Sequence, residues 1–201
     1  MPIQDGDPHG ATTLEPDELA GLKHAHITTR GELDELEQAN VQQGLLWLDR
    51  VRNPDVVDDA FLRKLHDKLF GDVWEWAGVY RLREKNIGID PRLIGVQVRQ
   101  LLGDARYWKE HNTYPPLEAA ARFHHRLVQI HPFPNGNGRH ARISADAYLQ
   151  HCFDHPAVDW EAGADLLHDN ARRDQYIAAL QAADAQDCAQ ILEFVGLPAP
   201  E

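Results

Sequence analysis

The chain has 201 residues, 43% of them apolar, and a formal net charge of −12. That length supports one globular domain with its own core, and that apolar share excludes wholesale disorder. The acidic balance excludes broad electrostatic binding of a nucleic-acid polymer or an anionic membrane.

Residues 1–16 read as a polar N-terminal lead whose start, MPIQDGDPHG, lacks the charged and apolar regions of a signal peptide. Next, TTRGELDELEQANVQQGLLWLDRV predicts a helix capped by Thr29, with Leu33, Leu36, Asn40, Val41, Leu45 and Leu48 at helical spacing. A second helix is predicted from Asp58 or Asp59 to a stop at Gly71. Residues 78–91 break the helical pattern. VYRLR alternates apolar with polar, EKN is turn-like, and IGI alternates again, which predicts a short β-hairpin. RLIGVQVRQLLGDARYWKEHN and PLEAAARFHHRLVQI are helical, the second with Ala119, Phe123, Leu127 and Ile130 on one face. NGRHARISADAYLQHCF predicts a further helix, and the segment from Trp160 onward one or two more. No run approaches the ~18 apolar residues of a membrane span. Cys152 and Cys188 stand far apart, as expected of small buried hydrophobes in a reducing compartment. The expectation is a mainly α protein with a single hairpin, cytoplasmic and without membrane attachment.

Between the helix ending at Ile130 and the one beginning near Asn137 lies HPFPNGNGRHAR, residues 131–142. Gly136 and Gly138 permit tight or left-handed backbone, so neighbouring amides can converge on one point. The helix starting near Asn137 adds unpaired N–H groups and the positive end of its dipole. Arg139 and Arg142 are three apart and share a helix face, where each can fork onto phosphate oxygens. His131 precedes this cradle, and an imidazole there suits a general base. Phe133 would anchor the loop to the core. The pattern points to phosphoryl or nucleotidyl transfer, in which positioning and charge stabilisation do most of the work. His124, His125 and His140 form no HExxH or Cys/His spacing, so a catalytic zinc is not expected.

The same twelve residues resemble the signature His-x-Phe-x-(Asp/Glu)-Gly-Asn-Gly-Arg-x-x-Arg of the Fic/Doc (Fido) family. LFGDVWEWAGVYR resembles the segment leading into that family's flap, and RRDQYIAALQAAD its C-terminal helix. The order and spacing are similar to a small bacterial subgroup labelled mobile mystery protein B. The resemblance implies a Fido-type helical bundle with one β-hairpin flap, a single Fic domain over 17–201. It also implies ATP with Mg2+ as substrate and transfer of AMP to a hydroxyl side chain of a target protein. His131 matches the base. Gly136, Asn137, Gly138, Arg139 and Arg142 match the ATP-binding residues. The hairpin around residues 80–89 matches the flap that grips the target by main-chain pairing, with Arg83, Lys85, Asn86 and Ile87 placed to meet it. Gly138 and Arg142 favour AMP transfer over the γ-phosphate transfer of the Doc branch.

Two positions depart from the pattern or extend it. Asn135 stands where the family most often has an acid that binds Mg2+, and an amide oxygen is a neutral, weaker ligand. A catalytically weak nucleotide-binding regulatory module therefore stays open beside the enzyme, as do another diphosphate donor, AMP removal and homo-oligomerisation. The resemblance also implies an inhibitory helix, at about 29–50 here, whose nearest candidate glutamate is Glu37, with Arg142 as its expected partner.

Overall fold

The computed structural model describes residues 14–163, 166 and 168–197; the N-terminal lead lies outside them up to residue 13. A short helix α1, Pro16–Leu19, is followed by α2, Arg30–Arg50, α3, Asp59–Phe70, α4, Ile94–His111, and α5, Pro116–Ile130. Then come α6, Asn137–Phe153, α7, Ala171–Asp184, and α8, Ala189–Phe194. A 3₁₀ turn, Pro91–Leu93, leads into α4.

Local chemistry accounts for the helix ends. Thr29 caps α2 with a full capping box: its hydroxyl accepts the Glu32 N–H, and the Glu32 carboxylate accepts the Thr29 N–H. Asp58 caps α3 by accepting the N–H groups of Ala60 and Phe61 at 2.9 and 3.2 Å. Prolines at the start of α5 cost nothing, since the first N–H groups of a helix lack intrahelical partners.

Helices α5 and α6 pack along each other at the centre. Helix α3 leans on α6 and on α2, α4 lies against α5, and α7 with α8 covers the other side of α5. Trp74, Tyr148, Phe70, Phe123 and Phe133 fill the shared core. Cys152 and Cys188 are both free and only half-buried, so neither is the fully buried hydrophobe expected of it.

The expected β-hairpin does not form. Residues 78–90 carry no strand, and the one isolated bridge among the described residues joins Leu22 to Trp74. The alternation in VYRLR has the opposite sense to that expected: Arg81 is 2% exposed and Leu82 89% exposed. The buried Arg81 guanidinium donates to the carbonyls of His131, Arg83, Ile89 and Ile130. Its own N–H donates to Pro132 O at 2.9 Å. One side chain thus supplies the donors that a second strand would have supplied, and it ties the loop to the end of α5. Among the described residues no helix is long and apolar enough to cross a membrane.

Candidate functional site

The loop between α5 and α6 is held from three directions. Asn137 closes it on itself: its Oδ1 accepts the Phe133 N–H and its Nδ2 donates to Phe133 O, both at 2.8 Å. Phe133, fully buried as expected of an anchor, stacks on the His66 ring at 3.7 Å between centroids. His66 is a residue the sequence reading missed. Its Nδ1 accepts the Gly78 N–H and its Nε2–H donates to Asn135 O, both at 3.0 Å. One imidazole therefore joins the root of the 78–90 loop to the anion loop. Burial, with His140 close by, holds its pKa well below the ordinary histidine value, so it stays neutral and keeps this tautomer. Its only sequence signal is a histidine set in the apolar stripe of Leu62, Leu65 and Leu69.

Gly136, at φ +73°, turns the chain into α6. A Cβ there would lie 2.6 Å from the Phe70 ring, so the position requires glycine on both counts. Gly138 differs. A Cβ there would meet nothing closer than 3.7 Å, so its bare backbone leaves room on the cavity side instead of relieving a clash.

His131 ends α5 in the left-handed region, at φ 55° and ψ 62°, directly before Pro132. A non-glycine residue there stores about 1–3 kcal/mol of strain, offset by the Leu127 carbonyl and the Arg81 guanidinium that fix its backbone. The residue is 3% exposed. Nδ1 lies 3.3 Å from Val128 O, and because a carbonyl only accepts, the proton sits on Nδ1 and the basic lone pair on Nε2. Burial pushes the pKa to about 3, with Arg81 and Lys85 adding to the drop against the Val128 bond. The imidazole is therefore neutral at pH 7 and able to take a proton.

These groups share one cavity of about 440 Å³. His131, Asn135, Gly136, Asn137, Gly138, Arg139 and Arg142 all line it, joined by Arg30 and Arg173, which the sequence reading did not assign. Four arginines thus line the cavity that holds the anion loop. The Arg142 guanidinium sits 5.5 Å from the centre of the Tyr176 ring, whose hydroxyl meets it and His124 Nε2. The lining also includes the apolar Val128, Ile177 and Leu180 and the polar Gln129, Gln181 and Asp184.

The flap residues separate. Ile87 lines the cavity. Arg83 pairs with Asp17 at 2.9 Å, and the buried Lys85 ammonium pairs with Glu18, so α1 holds the loop tip; Asn86 is exposed. Gly88, also missed from sequence, passes so close to the site that a Cβ would lie 2.6 Å from His131 Cβ. Glu37 is buried, but its partner is Arg139 and not Arg142 as expected. Residue 142 lies nearly one turn further along α6, on the Tyr176 side.

Among the described residues no three His, Cys, Asp or Glu side chains come together to hold a metal ion. Asn135 Oδ1 already accepts the Gly136 N–H at 2.6 Å. The donor set does not by itself make a magnesium site.

The chain is similar to known proteins in sequence and in fold. The Fic/DOC family profile matches residues 56–149. A probable protein adenylyltransferase, y4lH of Sinorhizobium fredii, is 33% identical over 126 residues, 57% of this chain and 62% of that protein. The protein adenylyltransferase VbhT of Bartonella schoenbuchensis is 28% identical over 123 residues, 58% of this chain and 26% of that one. The chain thus matches under two thirds of the length of either relative. Among solved structures, BepC of Bartonella tribocorum with bound AMPPNP superposes with a TM-score of 0.70 at 21% identity, covering 99% of this chain and 98% of that one. An N-terminal Fic domain from Bartonella quintana with bound ADP gives 0.68 at 19% identity, covering 85% and 86%. The matched segment holds the anion loop, His131 and both signature arginines in one cavity wall, and in that segment the chain is similar to the Fic/DOC family.

Proposed function

We propose that the protein is an adenylyltransferase that moves AMP from ATP to a hydroxyl side chain of a target protein. The observation that carries this reading is the shared cavity wall. A neutral imidazole stands beside backbone amides, a helix N-terminus and guanidinium groups fit for a polyphosphate.

In the reaction His131 Nε2 takes the proton of the target hydroxyl as its oxygen attacks the α-phosphorus. The bond from that phosphorus to the bridging oxygen breaks, and pyrophosphate leaves with the electron pair. The Gly136–Gly138 amides and Arg139 and Arg142 balance the charge on the departing phosphates. A low resting basicity at His131 is compatible with this role, because the bound polyphosphate anion raises the imidazole's proton affinity. Magnesium arrives with the nucleotide as part of the substrate, and Asn135 offers it at most one neutral oxygen. The loop at 78–90, with Ile87 at the cavity, is placed to present the target segment. ATP as donor is consistent with a reaction in the cytoplasm.

Incubation with ATP labelled at the α-phosphorus, with Mg2+ and lysate from the cell of origin, tests this. Label on a protein Ser, Thr or Tyr, lost in His131→Ala, is the expected result. Label transferred from another nucleoside diphosphate donor instead would change the donor. Nucleotide binding with no transfer would leave a regulatory module.

A further inference from the structure

The Glu37 carboxylate is fully engaged. Oε1 accepts the Trp74 indole N–H at 2.7 Å, and Oε2 pairs with Arg139 Nη2. Trp74 is itself fully buried and stacks on Trp76, with ring centres 4.8 Å apart. On its other side the Arg139 guanidinium lies 4.8 Å from the centre of the buried Phe70 ring. A charged fork held by a carboxylate at one edge and an aromatic face behind loses most of its rotamer freedom before any ligand arrives.

The position of the carboxylate decides what this contact does. A glutamate that blocked an anion site would stand in the cavity where a phosphate goes. Glu37 is 3% exposed and does not line the cavity, whereas Arg139 does. Among the described lining residues the one acid is Asp184, whose Oδ1 is met by His125 Nε2 and Gln129 Nε2 of α5. Glu37 therefore sits behind Arg139, and the guanidinium separates it from the space a phosphate would fill.

We propose that Glu37 is a positioning residue that holds Arg139 toward the phosphate end of the cavity, so that it promotes nucleotide binding and does not brake it. This rests on the cavity's reading as a nucleotide site. Helix α2 then becomes a working part of the site. Its Arg30 lines the cavity, and its Glu37 fixes a second guanidinium there.

The test is ADP affinity, measured by titration calorimetry on the full chain as wild type, Glu37→Gln, Arg139→Ala and the double variant. Glu37→Gln should weaken ADP binding roughly tenfold, a size ordinary for directly coupled pairs. In the Arg139→Ala background the same substitution should have no further effect. A merely structural glutamate would lower affinity equally in both backgrounds, and that overturns the proposal. Unchanged affinity, or a gain in affinity or in transfer of label from ATP, overturns it too. If Glu37→Gln fails to fold by circular dichroism, Glu37→Asp keeps the charge and shortens the reach. It should then weaken ADP binding on the wild-type background alone, and equal loss on both overturns the proposal. Because ADP binding needs no chemistry, a wild type that binds ADP but transfers nothing would sink the adenylyltransferase reading and leave this one standing. A wild type that binds no ADP would sink both.

Discussion

At the scale of single residues, the site depends on close approaches that leave no slack. His131 and Gly88 show this most directly. In the proposed reaction the imidazole supplies its lone pair, so His131→Ala should cut transfer of label from ATP by at least about 10²-fold, the usual worth of a positioned base, with an unchanged circular dichroism spectrum. Normal transfer in that variant would remove the proposed base. Gly88 contributes no chemistry, but its φ of +104° and the 2.6 Å that would separate an added Cβ from His131 Cβ leave no place for a methyl group. Gly88→Ala should therefore push the 78–90 loop off His131, destabilise the fold by about 1–3 kcal/mol in denaturant titration, and lower transfer. A variant with wild-type stability and transfer would show that the loop yields easily. Both histidines that matter most, His131 and His66, were equally present in the sequence. His131 announced itself through the motif that follows it. His66 did not, because a histidine among leucines on α3 carries no mark of the two backbone groups that it joins across 12 and 69 residues of chain.

Elements bring those residues together, and here Gly138 and Arg81 make contrasting predictions. Gly138 lies in the first turn of α6, where a Cβ would make only ordinary van der Waals contacts. Gly138→Ala should leave stability equal or raise it by up to about 1 kcal/mol, the helix preference of alanine over glycine. The same methyl group would intrude on the cavity, so ADP affinity should fall. A parallel loss of both would mean that Gly138 serves the fold instead. Arg81 is the reverse case, a side chain that replaces secondary structure. Lysine keeps the charge but lacks the planar fork that reaches several carbonyls at once. Arg81→Lys should speed amide hydrogen exchange through residues 82–89 and leave α5 and α6 protected. Unchanged exchange would assign the loop's order to other contacts, such as the pairing of Arg83 and Lys85 with α1.

For the molecule as a whole, four buried histidines couple the fold to pH. His124 and His131 are pushed down to about 3, His140 to about 4, and His66 is lowered well below the ordinary value, each chiefly by burial. A histidine whose folded pKa lies below its unfolded value of about 6.5 binds fewer protons folded than unfolded. Stability is then full above pH about 6.5 and drains as pH falls below it. Asp146 runs the other way, since burial raises it to about 6, so between about 3.8 and 6 the folded state is the better proton acceptor there. Four histidines against one aspartate leave the histidine trend in control. The unfolding midpoint should drop steeply from pH 6.5 toward 4, and a midpoint flat across that range would mean that these rings reach water. The sequence by itself determined the long helices, the caps of α2 and α3, and the anion loop with the histidine before it, because each is encoded by residues within a few positions of one another. The tertiary structure alone decided three things: that residues 78–90 are pinned by Arg81 and not paired as strands, that His66 and Gly88 belong to the site, and that Glu37 meets Arg139. Each of these contacts joins segments distant in the chain, and which side of Arg81 or Glu37 is buried depends on what the rest of the fold packs against it.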